Sequence, residues 1–171
     1  MVVPDTPGEP LDFEEVYRRH ADSVYRFCLV LLREPGAAED LAADVFASAY
    51  AAYRTAAPDE GGVRAWLFRI ARNAAIDRAR RGGRLRRLLP LLAQPANHHD
   101  VERTAEIRHD LRTALDAIAR LPARDRMLVG LRIGAGLGYA EVGTVAGMSE
   151  NAARMATSRA LQRVRQEVEH T

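Results

Sequence analysis

The chain has 171 residues, of which 47% are hydrophobic and only 6% aromatic, and it is rich in Ala, Leu and Arg. This balance favours an all-α fold over a β sandwich, and the length allows two compact helical units of about 70 residues each. Because Cys28 is the only cysteine, an internal disulfide, a multi-cysteine zinc site and a CxxC redox pair are excluded.

The start of the chain carries no targeting signal. Residues 1–10 have neither the basic nor the apolar region of a signal peptide, and no later stretch approaches the roughly 20 apolar residues of a membrane span. We therefore expect a cytoplasmic protein that does not insert into a membrane, with a disordered N-terminus over residues 1–11.

Charge is unevenly distributed along the chain, although the formal net charge is only +2. Residues 9–60 hold 11 acidic and five basic side chains, whereas residues 61–92 hold nine arginines against Asp77 alone. All 25 basic residues are arginine, whose planar fork suits phosphates and guanine edges. The distribution indicates one surface for a basic protein partner and another for nucleic acid, the alternative being ordinary solvated helix faces.

Apolar spacing predicts three helices in the first half of the chain, over about residues 13–33, 38–53 and 63–81. Pro58 and the pair Gly61 and Gly62 separate the second helix from the third, and we expect Gly82 and Gly83 to end the third. These helices form the first predicted domain, residues 12–83.

A segment without helical period follows, and we predict a flexible linker over residues 84–102. His98 and His99 lie within it without partner ligands at metal spacing, so no metal site is expected there. We expect the two domains to move independently in the free protein, with proteolysis cutting this linker first.

Periodicity returns in a second domain, residues 103–168, with helices at about 107–121, 123–133, 139–146 and 150–168. The short break at 147–149 gives a helix-turn-helix pattern, in which Gly147 suits a left-handed turn and Ser149 suits an N-cap. The last helix carries the Arg, Asn and Ser side chains of a helix that reads a major groove. An ordinary helical hairpin is the alternative interpretation.

Several motifs occur in a fixed order along the chain. They are YRRH at 17–20, AEDL at 38–41, WLFRIARNAAIDR at 66–78, LPARDR at 121–126, GYAEV at 138–142 and GMSE at 147–150. Together they resemble the extracytoplasmic-function (ECF) sigma factors of RNA polymerase, over about residues 12–168. The resemblance implies two small helical domains, the second a helix-turn-helix, that direct core RNA polymerase to promoter DNA.

The resemblance also implies which residues make each contact. In the family the acidic second helix docks on the polymerase clamp, which points here to Asp40 and Asp44. The loop and helix that follow capture the opened minus-10 strand, with residues 58–63 bordering a pocket for a flipped base. Six residues are implied to face that strand: Arg64, Arg69, Asn73, Asp77, Arg78 and Arg81. Trp66 is expected in the core rather than stacked on a base.

The second domain is implied to dock on the minus-35 element and on the polymerase flap. The residues implied to contact that element are Ser149, Asn151, Arg154, Ser158 and Arg159. An anti-sigma factor is a further expected partner, because members of the family are commonly held inactive by one.

The chain departs from the family pattern at a few positions. Ala146, Ala153 and Thr157 stand where larger apolar residues are common, which predicts looser packing in the second domain. Ala156 replaces a frequent basic residue, which predicts weaker salt-dependent binding to the minus-35 element. Ala43 replaces a frequent Gln on the clamp-docking helix.

Two other classes of protein are weaker alternatives. A stand-alone helix-turn-helix regulator would explain only the C-terminal third of the chain. For an enzyme, acid and base pairs could be drawn on paper from His20, Asp77, His109 and Glu141. No nucleophile motif, phosphate loop or metal cluster supports catalysis, so we expect neither enzymatic activity nor a cofactor.

Overall fold

The structure is a computed structural model that describes residues 12–56, 58–59, 61–88 and 105–170. Within these residues it contains seven α-helices, one π-helical turn and no strand. In chain order the elements are α1 (Phe13–Leu32), α2 (Pro35–Ala56), α3 (Val63–Leu88), α4 (Ala105–Arg120), α5 (Ala123–Val129), the π-turn (Gly130–Gly134), α6 (Tyr139–Ala146) and α7 (Glu150–Glu169). The predicted all-α fold is confirmed. We call α1–α3 the first unit and α4–α7 the second.

Local capping explains where α1 begins and ends and where α2 begins. Asp12 is the N-cap of α1, and Arg33 ends that helix in the left-handed conformation, with φ of 63°. The Glu34 carboxylate then accepts hydrogen bonds from the N–H groups of Gly36 (2.9 Å) and Ala37 (2.5 Å), two of the orphan donors at the start of α2. These contacts fix the tight turn between α1 and α2.

Helix α3 is longer than the sequence predicted. It continues past Gly82 to Leu88, so the predicted end at Arg81 is wrong. A glycine costs a helix interior only about 1 kcal/mol, and the Arg and Leu residues that follow are strong helix formers. The remainder of the predicted linker, including His98 and His99, lies outside the described residues, as does the predicted disordered N-terminus.

The main hydrophobic core joins the two units. Phe27 and Phe68 are fully buried at its centre, with ring centroids 5.8 Å apart in an edge-to-face arrangement. The first unit also contributes Val24, Leu41, Val45 and Leu67, and the second contributes Leu128, Leu131, Leu137 and Val142. Apolar periodicity did not predict this contact, because it does not reveal which helix will cover a given face. The expectation that the units move independently in the free protein stays a prediction.

Cys28 is buried in the same core. Removal from water disfavours the thiolate and raises the pKa of the Cys28 thiol to about 12, although the nearby charge of Arg78 acts in the opposite direction. The thiol is therefore unreactive in the folded protein, since the thiolate is the nucleophile.

An apolar groove of about 480 Å³ remains between the two units. Leu32 and Ile76 line it from the first unit, and Met127, Ala146 and Met148 line it from the second. Ala146 is one of the positions where a larger side chain was noted as common, and its small size leaves part of this space open.

Thr157 is fully buried on the inner face of α7, and its hydroxyl has no hydrogen-bond partner among the residues that the structure describes. A buried unpaired hydroxyl costs about 1–3 kcal/mol, and Val has nearly the same shape without it. We expect Thr157→Val to raise the free energy of unfolding by about 1 kcal/mol and the Tm by about 2–4 °C. Thermal unfolding followed by circular dichroism checks this. Thr157→Ser, which keeps the hydroxyl, should not stabilise the protein, and an unchanged Tm in the Val variant would show that the hydroxyl is satisfied.

Candidate nucleic-acid interface

The outer face of α2 is acidic. Asp40 and Asp44 lie one turn apart and are both exposed, with Glu39 exposed beside them. The opposite face of the helix is anchored in the core by Leu41 and Val45, which fixes the direction in which the acidic face points. The structure thus brings together the two residues predicted to dock on a basic partner.

Two exposed aromatic side chains lie on α1 and α2, and they were not predicted from the sequence. Tyr17 and Tyr50 are 52% and 59% exposed. The Tyr17 ring lies 4.8 Å from the Phe46 ring, and the Tyr50 ring lies 5.2 Å from the Phe13 ring, both edge-to-face. Exposed aromatic rings of this kind are enriched at protein–protein interfaces. The spacing of four residues within each helix is the signal that could have revealed the patch.

The exposed face of α3 carries a polar stripe with several arginines. Arg69, Asn73, Asp77 and Arg81 follow one another at four-residue intervals, and all are exposed. Arg80 lies on the same face, exposed, with its guanidinium 3.9 Å from the Asp77 carboxylate, and it was not predicted. We call these five residues the α3 stripe.

Two further weak contacts lie along the α3 stripe. The Asn73 side-chain oxygen accepts a hydrogen bond from Arg72 at 3.2 Å, and Arg81 Nε donates to the Asp77 carbonyl oxygen at 3.4 Å. Arg69, Arg80 and Arg81 are all exposed, as phosphate binding requires.

Arg64 and Arg78 are not part of the α3 stripe, although both were predicted to face DNA. Arg64 reaches the second unit, where it donates to the carbonyl oxygens of Ala135 (3.1 Å) and Gly136 (2.9 Å) and lies 3.3 Å from the Glu141 carboxylate. Arg78 is half-buried, and its charge acts on Cys28 of α1. The two arginines are 14 residues apart, about four helical turns, which places them together on the inner side of α3.

Trp66 lies at the edge of the core near the start of α3. It is half-buried, and its ring centroid is 6.0 Å from that of Tyr53. Packing against the core agrees with the expected role of Trp66.

The Asp59 carboxylate accepts from the Gly62 N–H at 3.0 Å and shapes the turn before the helix. Residues 57 and 60 lie outside the described residues, so the pocket for a flipped base stays a prediction.

The second unit contains the predicted helix-turn-helix. Gly147 ends α6 in the left-handed conformation, with φ of 70°, and the Ser149 hydroxyl accepts from the Ala152 N–H at 3.2 Å. Four predicted contact residues are exposed on α7: Asn151, Arg154, Ser158 and Arg159. Ser149 is exposed as well, but its hydroxyl serves as the N-cap of the helix.

Helix α7 packs on the rest of the second unit through small side chains. Ala153, Thr157 and Ala160 are buried on the inner face of α7. A Cβ atom placed on Gly143 of α6 would lie 2.7 Å from the Met148 carbonyl oxygen, closer than real Cβ contacts allow. Gly143 therefore sets the close approach of α6 to the turn, a role that was not predicted from the sequence.

Arg154 is oriented by its neighbours on the second unit. It forms an ion pair with Glu150 one turn earlier, and its guanidinium lies 5.5 Å from the centre of the Tyr139 ring. Both partners are near the N-terminal end of α7, the end that enters the major groove in helix-turn-helix proteins.

His20 lies where the two units meet. Burial lowers the pKa of His20 below its ordinary 6.5, the positive charges of Arg64 and Arg19 lower it further, and Glu141 acts in the opposite direction. The folded state therefore resists a protonation that the unfolded chain accepts, so this contribution to stability is complete above pH 6.5 and is lost as the pH falls below it.

We expect the Tm to fall more steeply below about pH 6.5 in the wild type than in a His20→Gln variant, which cannot take up that proton. Thermal unfolding of both proteins across this range checks the prediction. Other acid-sensitive groups affect the two proteins equally, so parallel curves would contradict the role given to His20.

Two general findings limit the kinds of functional site that the described residues can form. In the described ranges, no helix is long and apolar enough to cross a membrane. Among the same residues, no group of three or more His, Cys, Asp or Glu side chains could hold a metal ion.

Fold and surfaces together define a helical DNA-binding protein of two units. Comparison with known families gives the same division: residues 16–85 match Sigma-70 region 2, and residues 117–166 match Sigma-70 region 4. The RNA polymerase sigma factor CarQ of Myxococcus xanthus is 31% identical over 158 residues, covering 90% of this chain and 87% of CarQ. The chain belongs to the ECF sigma factor family of RNA polymerase.

Two further comparisons describe the extent of this similarity. The ECF RNA polymerase sigma factor SigE of Mycolicibacterium smegmatis is 32% identical over 159 residues, and the match covers 90% of this chain but only 60% of SigE. The solved structure of the sigma factor RpoE in complex with the anti-sigma factor NepR from Bartonella quintana superposes with a TM-score of 0.73 at 23% identity. That match covers 92% of this chain and 97% of RpoE, which shows the same fold.

Proposed function

We propose that this protein binds core RNA polymerase through the acidic face of α2 and directs it to promoters. In this proposal the α3 stripe holds the opened minus-10 strand, and α7 docks on the minus-35 element. The observation that carries the proposal is the pairing, on one small unit, of an acidic face on α2 with an arginine-bearing stripe on α3. These surfaces suit a basic protein partner and a nucleic acid.

The arrangement of the first unit favours this function over that of a stand-alone regulator. A helix-turn-helix is sufficient to bind duplex DNA, and such a regulator would have no need of a second basic stripe outside it. Arginines on an exposed helix face contact the backbone of a single strand, and aromatic rings supply stacking platforms for its bases. Trp66, half-exposed beside the stripe, could serve one base in this way without leaving the core.

We further propose that the protein acts in the cytoplasm, where the polymerase is, without catalytic activity or a cofactor of its own. The RpoE structure contains an anti-sigma factor. We extend that kind of partner to this chain, with the flap of the polymerase as the second docking point for the second unit.

Charge reversal on α2 tests the docking surface. We expect Asp40→Arg with Asp44→Arg to weaken binding to core polymerase by at least about tenfold, since like charges juxtaposed at an interface cost several kcal/mol. The fold should be unaffected, because both side chains are exposed and surface substitutions usually change stability by about 0.5 kcal/mol or less. Fluorescence anisotropy with labelled protein and core polymerase measures the affinity.

The matched control is Asp22→Arg with Asp110→Arg, which makes the same charge change at exposed positions on α1 and α4. We expect this control to bind core polymerase with nearly wild-type affinity. Equal losses in the two double variants would mean that total charge, rather than the α2 face, governs binding, and an unchanged affinity in the α2 variant would remove the docking assignment.

A further inference from the structure

We propose that the apolar groove between the two units binds a small amphipathic anion, a single-chain aliphatic carboxylate such as a medium-chain fatty acid. The groove is separate from the acidic face of α2 and from the α3 stripe, because no residue of either surface lines it. The inference therefore goes beyond the proposed function and does not depend on it. It rests on the apolar walls of the groove, its size and the charges along it.

The groove has a buried apolar base and adaptable walls. Ala75 of α3 and Leu128 of α5 are buried where they line it. Ile76, Met127 and Met148 line it as half-buried side chains. Methionine has an unbranched, polarizable side chain that adapts to irregular apolar shapes. These walls therefore suit a flexible aliphatic chain.

Small side chains keep the groove open, since four of its lining residues are alanines: Ala75, Ala79, Ala123 and Ala146. Its volume of about 480 Å³ lies within the range of about 300–1,000 Å³ that is typical of small-molecule sites. The same volume holds only about one turn of an α-helix, a cylinder about 10 Å across and 5.4 Å long. A helix of a partner protein would place little of its surface in the groove, whereas a small molecule would be largely enclosed.

The charged side chains along the groove are all positive. They are Arg72 of α3 with Arg124 and Arg126 of α5, and no acidic side chain is among the described residues that line the groove. None of the three forms an ion pair with a described carboxylate, whereas Arg120 and Arg163 of the second unit both do. A guanidinium binds a carboxylate through two parallel hydrogen bonds. The arginines thus complement the charged end of a fatty acid, and the apolar walls complement its chain.

Calorimetric titration of the full chain with dodecanoate tests the site without polymerase or DNA. We expect one molecule to bind per chain. Each buried methylene group tightens binding about fourfold, so decanoate, which is two methylenes shorter, should bind about 15-fold more weakly. Dodecyltrimethylammonium carries the same chain on a positive headgroup, and we expect it to bind at least about tenfold more weakly than dodecanoate because the arginines repel it.

Two variants locate the binding site on the protein. Ala146→Leu places a larger apolar side chain in the groove, and Arg72→Gln with Arg124→Gln removes two of its charges. Each should weaken dodecanoate binding at least about tenfold, through loss of space in the first and loss of charge-assisted hydrogen bonds in the second. Arg72 is half-buried and Arg124 is exposed, so the arginine variant remains a test if Ala146→Leu folds poorly.

The matched controls make the same substitutions outside the groove. Ala51→Leu introduces the same side chain at an exposed position of α2, and Arg54→Gln with Arg112→Gln removes two exposed arginines of α2 and α4. We expect both controls to bind dodecanoate with wild-type affinity.

Three results would overturn the inference. The first is the absence of saturable dodecanoate binding by the wild type, even if binding appeared in Leu91→Ser with Leu92→Ser, which would identify the apolar segment of the chain itself as the occupant. The second is an equal loss of affinity in the groove variants and their controls. The third is equal affinity for dodecanoate and dodecyltrimethylammonium, which would indicate nonspecific adsorption to apolar surface. None of these results bears on polymerase binding, so failure of this inference is distinguishable from failure of the proposed function.

Discussion

Replacing Arg69, Asn73 and Arg81 together with alanine is expected to abolish open-complex formation while leaving initial promoter binding measurable. All three are exposed residues of the α3 stripe. A hydrogen bond to a charged group contributes about 1.5–3 kcal/mol, so removing three such bonds to the opened strand reduces the population of open complexes by more than about a hundredfold. The stability of the fold should be unchanged, because none of the three side chains enters the core.

Permanganate footprinting of unpaired thymines measures the open complex directly. The control is Arg54→Ala with Arg112→Ala, which removes two exposed arginines outside the α3 stripe and should preserve wild-type reactivity. By comparison, Arg154→Ala with Arg159→Ala should weaken initial duplex binding. It should also reduce the slope of log affinity against log salt concentration by about 0.9 for each phosphate that is no longer neutralised. Wild-type footprints from the α3 variant would contradict the role given to the stripe.

The second large effect is expected at Gly143. In Gly143→Ala the new methyl carbon would lie 2.7 Å from the Met148 carbonyl oxygen and 3.2 Å from the Ser149 carbonyl carbon, both backbone atoms of the turn before α7. Overpacking of this kind costs about 1–3 kcal/mol, and here it displaces α7, the helix proposed to bind the minus-35 element. We expect a lower free energy of unfolding and loss of minus-35 duplex binding, measured by urea unfolding and by anisotropy.

Gly138→Ala is the matched control in the same motif. Gly138 has φ of −68°, and a Cβ atom there would make only an ordinary contact, 3.5 Å from the Glu141 carboxylate. This variant should retain both stability and duplex binding. If Gly143→Ala kept the stability and duplex binding expected of Gly138→Ala, the close approach of α6 to the turn would not be what positions α7.

Much of the fold could be predicted because its signals are local. Gly147 with Ser149 marks the break between α6 and α7 through backbone geometry that few residues satisfy. Helix α2 was predicted as well, although it begins at Pro35, three residues before the predicted start. The end of α3 was misjudged because two glycines weaken a helix without stopping it. The packing of Phe27 against the second unit could not be predicted, since a periodic pattern identifies an apolar face but not its partner.

The candidate site was predicted in part for the same reasons. Asp40 and Asp44, one turn apart, could be placed on one face from spacing alone. Arg64 was assigned to DNA by the family resemblance, but its spacing from Arg69 already placed it on another side of α3. Its pairing with Glu141 joins two segments 77 residues apart, and no local signal reveals it.

Run-off transcription with purified core polymerase and a library of genomic promoter fragments tests the central claim most directly. We expect transcripts of defined length from a subset of fragments, only when the protein and the core enzyme are both present, and none with the Asp40→Arg, Asp44→Arg variant. Tight binding of the protein alone to duplex fragments, without any transcript dependent on it, would contradict the assignment and identify the chain as a stand-alone regulator.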